Sequence, residues 1–169
     1  MIIRTLTLVG GLAGATVSSQ FPEFSQQYTQ RLGGAVDALA EVVSDFDASA
    51  DAVGLTRVAA LQQMQGTDFL ERRRADMTGT FARYDGLRAD LVALEGQGPF
   101  MRAYHLPRFS DPQITQAAWT AFQPAVPLNF AGLIFSAVGF LLASVILGVV
   151  FKLIAWPFRR RRATPTKPA

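Results

Sequence analysis

The chain of 169 residues contains no cysteine and one histidine, His105. Without thiols there are no disulfides, no thiolate metal sites and no cysteine nucleophile. A single imidazole removes the multi-histidine metal centres as well. Acidic residues are missing from both ends, since all thirteen lie between Glu23 and Asp111. That interval carries nine arginines, for a local net charge of −4, while the flanks carry seven basic residues and no acid, for +7. The overall +3 and the pI near 9.8 therefore combine two opposite regions and carry no sign of nucleic-acid binding. No glycine-rich phosphate loop, serine-elbow motif or metalloprotease motif occurs. These absences predict a protein that is not an enzyme and has no cofactor and no metal.

Charge of either sign is missing from Pro112 to Phe151, and what fills part of that gap is VPLNFAGLIFSAVGFLLASVILGVVF, residues 126–151. A bilayer needs about 20 apolar residues at about 1.5 Å rise each, so this run is long enough to cross with some tilt. Trp156 follows where an indole favours the headgroup layer, and Arg159, Arg160, Arg161 and Arg162 come next. A basic cluster beside a span holds that end in the cytoplasm, and the same charge attracts anionic lipid headgroups. No aromatic and basic platform accompanies the arginines, which argues against nucleic acid.

At the other end, MIIRTLTLVGGLAGATVSSQF has one early arginine and no further charge before Glu23. The 18 residues between Arg4 and Glu23 make about 27 Å of helix, close to the thickness of a thin bilayer. Two readings stand: a retained transmembrane helix, or a cleaved signal peptide with small residues Ala15 and Ser19 near the cut. The glycines and the poor cleavage region favour the retained helix. Either way the middle of the chain is exported.

In that middle, Pro22 and Glu23 suit the first turn of a helix. Tyr28, Leu32, Ala35, Leu39, Val42 and Phe46 then recur at heptad-like spacing, as in a coiled coil. Gly54 offers a turn, and a second long helix is expected from about Leu55 to Glu95 with Leu55, Val58, Phe69, Tyr84, Leu87, Leu91 and Leu94 on its apolar face. Paired antiparallel about that turn, the two helices would bring Leu39 near Phe69 or its neighbours. Residues 96–110 read as a loop. Asp111 and Pro112 then start a short helix that ends before Pro124, with Trp119 and Phe122 at the outer boundary of the membrane.

Three polar constellations have ordinary readings. Asp45, Asp47, Ser49 and Asp51 open like a calcium loop, but its glycine and bidentate glutamate positions hold Ala50 and Thr56. The ERRRAD run, Glu71–Asp76, can satisfy its arginines through pairs along the helix. His105, between Tyr104 and Leu106, has no acid, base or nucleophile beside it in sequence. More informative are the small residues in the spans, Gly10 and Gly14 in the first and Gly132, Ser136, Gly139 and Ala143 in the second. Lipid supplies no hydrophobic drive between helices, so small residues serve close backbone approach. This seam would pair the two spans or receive another protein.

The stretch LVGGLAGATVSSQFPEFSQQYTQRLGGAVDAL, with the terminal span and its basic tail, resembles a family of small proteobacterial inner-membrane proteins catalogued only as a domain of unknown function. The resemblance implies a bacterial membrane location and supplies no reaction, cofactor or catalytic residue. The expected architecture is an all-α membrane protein: a transmembrane helix over 1–20, an exported antiparallel helical hairpin over 21–125, a second transmembrane helix over 126–156, and a basic cytoplasmic tail over 157–169. Both termini would be cytoplasmic, in the bacterial inner membrane. The expected role is an accessory subunit or scaffold of an envelope complex, with an inner-membrane or periplasmic protein partner or self-association. The competing class is a ligand-binding or sensing module whose loop around Tyr104 and His105 closes a site.

Overall fold

A computed structural model describes residues 2–124 and 129–160. Among them the protein is all helix, without strands: α1 Ile2–Ser19, α2 Phe21–Asp51, α3 Arg57–Gln63, α4 Asp68–Leu94, α5 Pro99–Tyr104, a 3₁₀ turn Leu106–Arg108, α6 Pro112–Ala121 and α7 Phe130–Arg160. Two helical regions are long and apolar enough to cross a membrane, one near the N-terminus and one over Phe130–Trp156. The chain divides into two compact units. One comprises residues 1–23 with 123–169, and the other Phe24–Phe122.

The helix boundaries follow local chemistry. α2 ends at Asp51, and the turn after it closes at Gly54, whose φ of +70° suits a residue without Cβ. The Leu55 amide donates to the Ala50 carbonyl at 2.9 Å and the Gly54 amide to the Asp51 carbonyl at 3.0 Å, which together close a Schellman motif. Thr56 and Thr67 cap α3 and α4, accepting from the Ala59 and Leu70 amides. Asp111 caps α6 as its sequence predicts, its Oδ1 accepting from the Gln113 and Ile114 amides at 2.9 Å each.

The second helix of the middle is not continuous. It breaks between Gln63 and Asp68, where Gly66 takes φ of +96°. Gly79 and Gly86, by contrast, lie inside α4 without interrupting it. Because residues 55–67 are spent on α3 and the restart, the pairing expected from a simple turn is wrong. Phe69 is 71% exposed rather than opposite Leu39. Instead, Val43 shares a cluster with Met77 and Phe81, and half-buried Phe46 and Leu61 pack on it. Tyr28, Leu32 and Val36 share the larger cluster with Leu87, Leu94, Ile114 and Ala118. The α2 stripe also shifts. Val36 and Val43 are buried where Val42 is 43% exposed. A helix of 3.6 residues per turn drifts off a 3.5-residue repeat, and the third helix, α6, widens the face that α2 buries.

Residues 96–110, read as loop, contain α5 and the 3₁₀ turn. Pro99 sits in the first turn of α5 and Pro107 in that of the 3₁₀ turn, where the missing amide costs nothing.

Candidate functional site

The first unit is built on close backbone approach. The buried side of α1 carries Thr7, Gly10, Gly11, Gly14, Ala15 and Ser18. A Cβ added at Gly14 would meet Ala143 and lie 2.7 Å from the Gly139 carbonyl oxygen. One added at Gly139 would meet Ser18 and lie 2.5 Å from the Gly14 carbonyl oxygen. Gly10 is covered by Leu147, and Gly11 by Ser144 and Phe140. Nearer the other end of α7, Phe21 packs on Phe135 with ring centroids 5.3 Å apart. Contacts descend along α7 as they ascend along α1, so the helices run antiparallel.

The seam residues read from sequence therefore divide. Gly10, Gly14, Gly139 and Ala143 lie at the contact between α1 and α7. Gly132 is buried near the start of α7, its amide donating to Asn129 Oδ1 at 2.7 Å, and Ser136 is half-buried. Gly11 and Ser144 belong to the same contact but break the four-residue spacing that singled out their neighbours. Two hydroxyls on α1 bond along the helix, Thr7 donating to the Ile3 carbonyl and Thr16 to that of Leu12. The opposite faces are apolar and exposed, with Leu8, Val9, Leu12 and Val17 on α1 and Leu133, Leu141, Val145 and Ile146 on α7.

At the anchor end, Trp156 is 58% exposed on α7, and the helix continues through Arg159 and Arg160. Arg161 and Arg162 lie outside the described residues.

The second unit holds a polar cluster that sequence reasoning did not find. Asp90, on the buried face of α4, is 8% exposed and accepts from Arg108 at 3.2 Å and from the Ser110 hydroxyl at 3.0 Å. Asp111 pairs with Arg83 at 2.9 Å while capping α6. These bonds fasten the segment between α5 and α6 onto α4. Against them lies Tyr28, fully buried, its ring 4.4 Å from that of Phe109. The hydroxyl has no hydrogen-bond partner of good geometry. Burial pushes its pKa above the ordinary phenol value, the Asp111 backbone acts in the opposite direction, and the Asp111 and Asp90 carboxylates push it higher. Alternating charge on separate segments leaves no fixed spacing in sequence, which is why Asp90 escaped notice.

The remaining candidates are accounted for locally. Asp47 accepts from Arg57 Nε at 2.7 Å and pairs with its Nη2, and this bonding holds the carboxyl below the usual range. The same guanidinium lies over the Phe81 ring, 4.6 Å from its centroid. No group of acids and His able to hold a metal occurs among the described residues. In ERRRAD, Arg73 and Asp76 form a loose pair at 3.9 Å, one turn apart. His105 caps the end of α5, with its ring edge-on to Tyr104 at 5.2 Å.

Comparison with known proteins gives one family, described as a protein of unknown function (DUF2937), which matches residues 2–160. No curated protein and no solved structure matches the chain.

Proposed function

The chain belongs to the DUF2937 family, and from there we propose that it is a non-catalytic membrane protein acting as an accessory subunit or scaffold of an envelope complex. In this reading α1 and α7 cross the bacterial inner membrane as a pair. The unit Phe24–Phe122 stands on the periplasmic side as a helical hairpin, with α6 packed along it. Both termini are cytoplasmic.

The observation that carries the reading is the contrast between the two sides of the α1 and α7 pair. Glycines bring the backbones together on one side, and leucine, valine and isoleucine stay exposed on the other. Water would penalise that outer surface by about 25 cal/mol for each Å² of apolar area, whereas acyl chains solvate it. Close packing of small residues is the means by which helices associate once lipid surrounds them. The basic tail after Trp156 supports a cytoplasmic C-terminus. The polar cluster supports a structural role for the second unit, because its charged groups are turned on one another.

Two measurements test this. The protein is expected to stay with the membrane pellet after alkaline carbonate, and reporters fused at Gly54 and at the C-terminus should read periplasm and cytoplasm respectively. A cytoplasmic reading at Gly54 contradicts the topology. For the scaffold role, mild-detergent extraction should recover a defined envelope protein with the full chain, and lose it when residues 24–122 are exchanged for an unrelated helical domain. Unchanged recovery places the partner contact in the spans instead.

A further inference from the structure

Residues 99–108 form the most apolar exposed segment of the second unit. Phe100 and Met101 are each 47% exposed, Leu106 55% and Tyr104 77%. Between them stand two arginines. Arg108 is tied to Asp90 but leaves half its side chain exposed, at 51%. Arg102, in the last turn of α5, has a buried Nε without a hydrogen-bond partner. A guanidinium among exposed apolar side chains is a poor surface for water and a good one for a phospholipid, whose phosphate accepts charge-assisted hydrogen bonds above an acyl layer.

The position of the segment within its unit points the same way. α5 begins just after Leu94, which shares a cluster with Tyr28 and Ala118, and Phe24 packs against that cluster. Phe24 in turn meets Trp119 and Phe122 edge-on, at 6.1 and 6.0 Å. The chain enters this unit at Phe24 and leaves it at Phe122. α5 therefore starts from the end where both connections are made. Ser19 ends α1 only five positions before Phe24, a tether of at most about 18 Å at full extension. Any bilayer that α1 crosses has its surface within reach of this end.

We propose that α5 and the following 3₁₀ turn are an interfacial element, which lays Phe100, Met101, Tyr104 and Leu106 into the headgroup and acyl boundary of that bilayer and sets Arg102 on a lipid phosphate. This rests on the membrane reading of α1 and α7.

The absence of cysteine makes the test direct, since single-cysteine variants can be spin-labelled without background. Tyr104→Cys, Val53→Cys and Leu141→Cys chains would be reconstituted in phosphatidylethanolamine and phosphatidylglycerol vesicles. Collision rates with oxygen, which partitions into acyl chains, and with a water-soluble nickel chelate then report depth. Val53 is 69% exposed beside the turn after α2, and Leu141 is 62% exposed on α7. The expected order is Leu141 deepest, Tyr104 several-fold richer in oxygen relative to nickel than Val53, and Tyr104 shifted toward the Val53 value by Arg102→Glu. If Leu141 reports lipid and Tyr104 matches Val53, the interfacial element is wrong and the membrane reading survives. If Leu141 itself reports water, the membrane reading fails and takes this one with it. A Tyr104 label shielded from both reagents overturns the proposal in favour of a protein partner on this surface.

Discussion

A single methyl group decides the fit at Gly14 and Gly139, because each Cβ would meet the other helix's backbone. Backbone cannot move aside as a flexible side chain can. Gly139→Val should therefore force α1 and α7 apart, at a cost of about 1–3 kcal/mol or more. Gly148, on the same helix, has nothing within 4 Å of its would-be Cβ, and Gly148→Val should change stability by less than about 0.5 kcal/mol. Thermal midpoints in detergent distinguish the two, and an equal response would dissolve the seam. Tyr28 presents a different balance. Its hydroxyl is buried without a good partner, so Tyr28→Phe removes an unsatisfied group and should leave the midpoint unchanged or raise it. The pKa in the folded state is raised. Below about pH 10 both states keep the proton. Above that value the unfolded chain loses it first, so stability should fall with pH, and more steeply in the wild type than in Tyr28→Phe. Matching pH slopes would show that Tyr28 titrates freely.

Among the helices, the break between α3 and α4 turns on Gly66, and α4 runs unbroken through Gly79 and Gly86. Gly66 has φ of +96°, a conformation strained for any L side chain, so Gly66→Ala should destabilise by about 1–2 kcal/mol. Gly79 has helical backbone and open space around it. Gly79→Ala should stabilise by about 1 kcal/mol, since alanine loses less backbone freedom in a helix. Opposite signs from the same substitution, read by thermal denaturation, are the expected result. Two shifts of one sign would mean that α3 and α4 form one helix in solution. Capping shows how much was local: Asp111 with Pro112 could be read from sequence because both act within four residues. Thr56 caps the helix expected after the Gly54 turn, whereas Thr67 caps a restart that the hydrophobic pattern did not mark.

For the molecule as a whole, the two units have different reasons to be stable. Phe24–Phe122 buries Tyr28, Leu32 and Leu94 completely and is fastened by Asp90 and Asp111. It should fold alone as a soluble helical fragment with a cooperative thermal transition. Leu32→Ala should lower its stability by about 2–5 kcal/mol, a large part of the 5–15 kcal/mol of an ordinary domain. A fragment that melts without cooperativity, or ignores Leu32→Ala, would show that the unit depends on the spans. Among its described residues the other unit exposes apolar side chains along both α1 and α7, so detergent or lipid should be needed to keep it dispersed.

Sequence alone determined the helical class, the two regions long and apolar enough to cross a membrane, the charge division and the family. Each rests on runs or local spacings: uncharged stretches for the spans, small residues four apart at Gly10, Gly14, Gly139 and Ala143, and a cap beside a proline at Asp111. Tertiary structure decided what depends on partners far apart in the chain. It replaced Val42 with Val36 and Val43 in the core, because Ile114 and Ala118 of α6 join the cluster around Val36 while Met77 and Phe81 of α4 cover Val43. It moved the contact of α2 from Phe69 to Met77 and Phe81, because α3 takes up chain that a simple turn would have left to α4. It also buried Asp90 on the same face of α4 as Leu87 and Leu94, where Arg108 and Ser110 fold back from the next segment to satisfy it. A buried charge needs its partner in space, and no spacing along the chain encodes that.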